Sequence, residues 1–489
     1  MITTDRDEQT AASENERLPE FKFIVGGQWR EGTSYTVYCP YDAEPVATVH
    51  RAGAGDLEEA TRAAVRALKV TRKLPGHRRA AILRKIADTI TARSEDLARS
   101  LALEAGKPIK LSRLEVSRAA MTFSVSAEEA TRINDEVIHM DALPGGENRQ
   151  GIIRRFPVGP VAAITPFNFP LNLVAHKIAP AIAAGCPIVL KPASQTPISA
   201  LKLGEIVLEA GWPEEALSIL PLQSSDSAPL VEDERFKLLT FTGSPAVGWD
   251  LKGRAGSKKV TLELGGNAGV IIHSDADLDY AVERCIFGGF SYAGQSCISV
   301  QRIFVHEPVY QQFLDKLVPR VKALKVGHPL DEDTDVASVI TTKDSERVKE
   351  WLGEALSSGA ECLAGGEVKD GVVHPTVIVK AGPDVRVNNR EIFAPVVTVQ
   401  PYDDFDQAVE AVNNSSYGLQ AGVFTRDIKR IFSAFEELEV GGVNVNDVST
   451  YRMDHMPYGG VKQSGFGKEG PKYAIEEMTE PKLLVINLA

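Results

Sequence analysis

VGPVAAITPF (158–167), PIVLKPA (187–193), LSILPL (217–222), KLLTFTG (237–243) and VTLELGG (260–266) are five short apolar runs, and helical phrases such as ISALKLGEIVLEAG (198–211) separate them. Strands joined by helical crossovers run parallel in one sheet, with helices covering its faces. The spacing predicts an α/β fold with a doubly wound sheet whose ligand crevice opens at the C-terminal strand ends. This is a nucleotide-binding architecture.

On the N-terminal side, FIVGGQWREG (23–32) reads as a strand and a turn. Asp56, with Glu59 three residues on, offers a helix cap, and Leu57, Ala60, Ala64, Ala67 and Leu68 recur at helical spacing. A longer helix is expected from Arg78 to about Ala105 and a third over 110–134; no pattern on their faces carries chemistry. On the C-terminal side a second alternating region runs from about Asn267 to Asp447. The Gly-rich MPYGGVKQSGFGKEG (456–470) and the strand-like KLLVINL (482–488) follow it.

The 489 residues exceed a single small module, and 43 % apolar with 25 % charged residues is the balance of a packed protein. Disorder, collagen and coiled coil are excluded. With 54 Lys and Arg against 66 Asp and Glu the net charge is −12, which disfavours phosphate-neutralising binding, so no nucleic-acid partner is expected. The five cysteines, Cys39, Cys186, Cys285, Cys297 and Cys362, form no CxxC pair and cannot all pair within one chain; reduced thiols in a cytoplasm are expected. Residues 1–18 are polar and acidic and read as a loose tail rather than a secretory signal. The longest apolar run, Ile178 to Leu190, is broken by Pro180, Gly185 and Pro187 and falls short of the roughly 20 residues that span a bilayer, so no membrane segment is expected.

Gly243-Ser-Pro-Ala-Val-Gly248 follows a predicted strand and opens a predicted helix. Its glycines permit a tight turn, and Ser244 with free helix amides can face a phosphate; an ordinary capped turn looks the same. Cys297, in FSYAGQSCI (290–298), stands at an expected helix start, where the dipole lowers a thiol pKa, although an isolated Cys is usually a small buried apolar residue. Glu263, inside TLELGG, is costly to bury without a task or a salt-bridge partner. Asn168, between two Phe-Pro phrases, can offer an amide to a developing oxyanion or bond its own backbone. The nine histidines and the acids show neither HExxH nor a compact ligand cluster, so no metal is expected.

In order along the chain, ITPFNFP (164–170), VLKPASQTP (189–197), FTGSPAVG (241–248), LELGGN (262–267), GQSCIS (294–299), EIFAPVV (391–397) and MPYGGVKQSGFGKEG resemble the aldehyde dehydrogenase superfamily over nearly the whole length. SVQR after the cysteine and TYRMDHMPYGGVKQSG are similar to a branch that oxidises small polar or anionic aldehydes such as lactaldehyde, phosphonoacetaldehyde and glyceraldehyde 3-phosphate. The resemblance implies that Cys297 attacks the aldehyde to give a thiohemiacetal, whose oxyanion Asn168 and the Cys297 N–H hold. Oxidation then yields a thioester that Glu263, as base, hydrolyses. It implies NADP or NAD as cofactor, held by Thr165, Pro166, Phe167, Lys191, Ser194, Gly243, Ser244, Val247, Leu264, Gly265, Glu391 and Phe393, while Lys462 has no assignable role. Many NAD-preferring relatives carry a Glu where this chain has Ser194; its absence, with Lys191 nearby, favours NADP.

By the same resemblance, residues 20–140 and 160–263 form the cofactor domain and 264–446 the catalytic domain. Residues 141–159 with 465–489 form an oligomerisation element, whose two-stranded arm ENRQGIIRRF (147–156) and final strand KLLVINL cross to a partner in a homodimer or homotetramer. Arg452, six residues before Tyr458, stands where relatives acting on apolar aldehydes carry an aromatic wall, and its fork of donors suits an anionic substrate group. Arg118, or less readily Arg113, assists; a structural ion pair of Arg452 with a nearby acid such as Asp454 is the alternative. A CoA-acylating enzyme, a non-catalytic cofactor-binding protein and an esterase side activity are the rival functions, and an intact Glu263 argues against the first.

Overall fold

The computed structural model describes residues 18–369 and 371–489, so the tail expected over 1–18 lies, except for Leu18, outside the described residues. The five apolar runs form adjacent parallel strands. Val161–Ile164 is central, Ile188–Lys191 and Leu217–Ile219 follow on one side, and Leu238–Thr242 and Lys259–Glu263 on the other. Chain order reverses between Val161–Ile164 and Leu238–Thr242, and that switch point is where a doubly wound sheet opens its crevice. The strands are covered on both faces, which is why they read as continuous apolar runs and not as alternation. The hairpin Phe23–Val25 and Gln28–Arg30, turned at Gly26 and Gly27 with φ of 53° and 79°, adds antiparallel strands at one edge.

The run Ile178 to Leu190 is the end of one buried element and the start of the next. Every residue of the helix Asn172–Ala184 is buried, Gly185 ends it at φ 84°, and Ile188–Lys191 enters the sheet. No helix among the described residues is long and apolar enough to cross a membrane.

The second alternating region folds into a seven-stranded sheet in the order Glu361–Ala364, Thr376–Val379, Val396–Tyr402, Val300–His306, Ala268–Ile272, Gln420–Phe424, Gly442–Val445. All its pairings are parallel except that of Glu361–Ala364. Lys259–Glu263 and Ala268–Ile272 are joined by Leu264–Asn267, so the first sheet hands the chain directly to the second.

Several expectations are corrected. The first helix, Ala54–Thr71, is capped at Gly53; Asp56 sits in its first turn and accepts the Gly53 N–H at 2.8 Å. The expected helix from Arg78 to Ala105 is two helices, Gly76–Ala92 and Ser94–Ala105, which meet at Arg93 (φ −100°, ψ 20°), and the third is Ile109–Glu129. The arm is three-stranded: Glu136–Ile138 pairs with Arg149–Pro157, which pairs along its length with Thr479–Asn487 of the same chain. The arm and final strand therefore satisfy each other, leaving Thr479–Asn487 at the sheet edge with Leu483, Leu484 and Val485 exposed. Gly465–Phe466 belongs to the cofactor sheet, against Lys259–Glu263, and not to the arm element expected to begin at 465.

Candidate active site

A cavity of about 420 Å³ lies over the switch point, between the two sheets. Cys297, Asn168 and Glu263 all line it, as do Pro166, Phe167, Gly243, Ser244, Leu264, Gly265, Glu391, Phe393, Arg118, Arg452 and Tyr458. Residues more than a hundred positions apart meet here because three sheet-end loops and the 450–470 segment converge on one crevice.

Cys297 is not at a helix start. Ser291–Gly294 forms a single 3₁₀ turn in which Tyr292 and Ala293 have φ of 50° and 51°, and the strand Val300–His306 follows. Non-glycine residues held there are strained, a cost that accompanies functional turns. A Cβ on Gly294 would collide with the Ala394 carbonyl, and one on Gly266 with the Cys297 carbonyl, so both positions admit only glycine. Without a helix dipole, burial pushes the Cys297 thiol up to about 12; the Tyr458 hydrogen bond and Arg452 work the other way, and Glu391 and Glu263 add to the rise. The expectation of a thiol made acidic by a helix is thus corrected.

The Asn168 amide nitrogen donates to the Gln295 carbonyl at 3.1 Å, leaving its other hydrogen for a ligand. Among the described residues the Cys297 N–H donates to no protein acceptor. The Asn168 loop is gripped from behind by Lys107, which is 1 % exposed. Its ammonium donates to the Asn168 carbonyl at 2.8 Å, pairs with Glu115, and stands 3.9 Å from the Phe169 ring centroid. Glu115 in turn accepts the N–H groups of Leu171 and Asn172. The third helix therefore does carry a functional group, Glu115, and Lys107 stands in the link just before it; the sequence pattern revealed neither, because only the fold buries them together.

Glu263 ends its strand with both carboxylate oxygens buried and without a hydrogen bond or salt bridge among the described residues. Burial, then the neighbouring Glu469 carboxylate, raise its pKa well above the usual range. Such a group holds a proton weakly solvated beside a cavity, which is what a general base tuned toward neutral pH requires.

At the far end stand the arginines. Arg118 forms a fork to Asp454 at 2.9 and 3.1 Å, with Asn172 and His176 also on that carboxylate. Asp454, the acid named for a structural ion pair with Arg452, is thus taken by Arg118, and Arg452 pairs with another nearby acid, Glu469. The Arg452 guanidinium carbon lies 3.5 Å from the Tyr458 ring centroid, its Nη2 is 3.7 Å from Glu469 Oε2, and its buried Nε has no partner among the described residues. Arg113 points away from the cavity, to Glu95 and Glu332.

The residues fit a nicotinamide dinucleotide. Glu391 accepts the Gly266 N–H at 2.8 Å and would collide with any Cβ on Gly265, so carboxylate and backbone form a cradle only glycine permits. Burial pushes Glu391 up to about 7. Phe393, at φ 51°, meets Phe167 edge to face at 5.9 Å. The buried Thr165 hydroxyl has no partner, Ser244 precedes the helix Pro245–Arg254, and the buried Lys191 ammonium has no ion pair among the described residues. Lys191, Ser194 and Val247 lie outside the cavity lining; Val247 is exposed on the first turn of that helix, and Ser194 offers its carbonyl to Tyr35. Lys462 donates to the Asn413 carbonyl and pairs with Glu439, a structural role.

The expectation of no compact ligand cluster is also corrected: Cys39, Asp42 and His328 bring ligand atoms within 4.8 Å of one another. The Leu330 N–H donates to His328 Nδ1, so the imidazole proton sits on Nε2 toward Asp42, 3.1 Å away, as in a hydrogen-bonded turn and not a metal site.

A doubly wound dinucleotide sheet, facing across one cavity a cysteine, a free amide and an unpaired buried glutamate, defines an NAD(P)-dependent aldehyde dehydrogenase. Residues 29–484 match the aldehyde dehydrogenase family, and the chain belongs to it. It is 46 % identical to 3-sulfolactaldehyde dehydrogenase of Priestia megaterium, over 96 % of this chain and 99 % of that protein. The crystal structure of aldehyde dehydrogenase 21 from Physcomitrella patens with the reaction product succinate superposes with a TM-score of 0.94 at 44 % identity, covering 96 % of this chain and 99 % of the other. Glyceraldehyde-3-phosphate dehydrogenase of Methanocaldococcus jannaschii, complexed with NADP, gives 0.89 at 40 %, covering 94 % and 99 %.

Proposed function

We propose that the chain oxidises a short aldehyde bearing an anionic or strongly polar group to its carboxylic acid. The observation that carries this reading is Arg452: a buried guanidinium on the cavity wall whose Nε has no protein acceptor. A buried unsatisfied donor of a charged group is costly, and an anionic substrate tail removes that cost on binding. Arg118, its fork closed on Asp454, contributes field more than contact. The three relatives agree in chemistry, since sulfolactaldehyde, the product succinate and glyceraldehyde 3-phosphate all carry an anionic group.

In this reading Cys297 attacks the aldehyde carbon, and the Asn168 amide and Cys297 N–H receive the oxyanion. The nicotinamide, when bound, supplies the hydride acceptor that makes the thioester. Glu263 then takes a proton from the water that releases the acid, and its freedom from ion pairs supports hydrolysis over transfer to CoA. Thr165, Lys191, Ser194, Ser244 and Glu391 are the residues that would hold the cofactor. Lys191 without a competing acid at Ser194 supports preference for NADP. The exposed edge strand Thr479–Asn487 supports association into a dimer or tetramer, and five free thiols fit a reducing cytoplasm.

Arg452→Ala tests the substrate class. KM for anionic aldehydes should rise by one to two orders of magnitude, roughly 1.4–2.8 kcal/mol, with little change for propanal. Equal loss of both substrates, or of neither, would return Arg452 to a structural role.

A further inference from the structure

The cysteine sulfur has one hydrogen-bond partner among the described residues. The Tyr458 hydroxyl stands 2.9 Å from Cys297 Sγ, and either atom can donate while the sulfur is a thiol. Once the sulfur is a thiolate it can only accept, and the phenol must be the donor. No other group among the described residues competes for that position: the Asn168 amide is turned to Gln295 and the cavity, and Glu263 has no hydrogen bond there.

Tyr458 is itself held in a built position. It is 2 % exposed, and its backbone exchanges hydrogen bonds with Glu469, N–H to carbonyl in both directions, at 3.1 and 2.6 Å. That exchange places the Glu469 carboxylate against Arg452 and lays Arg452 on the face of the phenol ring, 3.5 Å from its centroid. A cation over the ring withdraws electron density from it and strengthens its O–H as a donor. Burial keeps this phenol protonated far into the alkaline range, so the proton is available to donate.

We propose that Tyr458 is a positioning residue for the nucleophile: its hydroxyl, polarised by the stacked Arg452, donates to the Cys297 thiolate and so fixes the sulfur's direction and its readiness to attack. This rests on Cys297 being the nucleophile. The charged and titratable groups facing the sulfur are Tyr458 and Arg452, which favour the thiolate, and Glu263 and Glu391, which oppose it. Tyr458 is thus the direct contact through which a residue assigned to the substrate tail, Arg452, also reaches the reacting atom.

The test is alkylation of the enzyme by iodoacetamide as a function of pH, with and without NADP, in the parent, Cys297→Ala and Tyr458→Phe. The phenylalanine ring retains the stack with Arg452 and loses only the hydroxyl. Tyr458→Phe should alkylate about tenfold more slowly at each pH below the thiol's midpoint, which is a displacement of the pH–rate line by about one unit toward alkali. KM for an anionic aldehyde should stay within about twofold, since Arg452 keeps its place, while kcat falls and recovers as pH rises. Site-specific 3-fluorotyrosine at 458, a stronger donor of nearly the same shape, should displace the line the other way and serves if Tyr458→Phe folds poorly. An undisplaced line, or displacement of Tyr458→Phe toward acid, overturns the proposal. If Cys297→Ala still turns over aldehyde and NADP, the nucleophile assignment has failed instead; if that variant is dead and Tyr458→Phe matches the parent, only the role of Tyr458 falls.

Discussion

Glu263 and Glu469 are buried carboxylates on the same cavity, and the regions around them treat charge differently. Near Cys297 the wall is made of strand ends and glycine turns, and Glu263 is left with no hydrogen bond to either oxygen. Near Arg452 the wall is a lattice of ion pairs. Lys177 donates to Glu469 at 2.9 Å and to Thr240 at 2.9 Å, and Arg118, Asn172 and His176 share Asp454. Burial alone would raise Glu469 as it raises Glu263, but Lys177, His176 and Arg452 outweigh it and hold Glu469 below the usual range. The lesson is a division of labour between neighbours. One carboxylate is kept poorly solvated, which in the proposed mechanism suits it to exchange a proton, and the other is kept charged by the cations around it, Lys177 and Arg452.

Glu263→Gln should break the reactive side most severely. Steady-state turnover should fall by roughly 10²–10⁴, the range of a lost general base, while rapid mixing still shows a burst of reduced cofactor. Loss of the burst as well would mean that Glu263 activates Cys297. Because burial raises its pKa, Glu263 becomes a base only as pH climbs, so deacylation in the parent should accelerate toward alkali, and the glutamine variant should lose that rise.

Glu469→Gln probes the structural side. It leaves the fully buried Lys177 without its counter-charge, and breaking such a pair costs about 3–5 kcal/mol, readable in urea or thermal denaturation. Unchanged stability would remove the distinction between the two carboxylates.

Acid should act on the same lattice. Burial pushes Asp454 up, but His176 and Arg118 overturn this and hold it well below the usual carboxylate range. The unfolded chain therefore takes up that proton first, near pH 4, and the contribution of Asp454, complete above this value, is lost as pH falls further. Asp454→Asn should show a shallower acid limb in a plot of Tm against pH; an identical limb would place acid sensitivity elsewhere.

The smallest effect is expected outside the cavity, at Lys191 and Ser194, where the proposed reading puts the adenosine. Ser194→Glu should lower the NADP to NAD ratio of kcat/KM by about tenfold, or 1.4 kcal/mol, by setting a carboxylate against the 2′-phosphate. A constant ratio would show that Lys191 and Ser194 do not choose the cofactor.

The five apolar runs of 158–266 were legible as parallel strands because burial on both faces leaves an unmistakable composition, and ITPFNFP and LELGG were legible as strand ends because glycine and proline punctuate the apolar runs, whereas GQSCIS reads as a helix start that the backbone there does not form. Read singly, Cys297, Glu263 and Asn168 each have an ordinary structural explanation; the ordered set of phrases, by its resemblance to a family, is what marks them and Glu391 as candidates. What the tertiary structure alone decided is charge. That Arg118 pairs with Asp454, that Arg452 lies on Tyr458, that Lys107 and Glu115 grip the Asn168 loop and that Cys297 has no helix dipole depend on residues up to 336 positions apart. A polar side chain's partner and its solvation are set by whatever the fold brings within about 4 Å, and no local pattern records that distance.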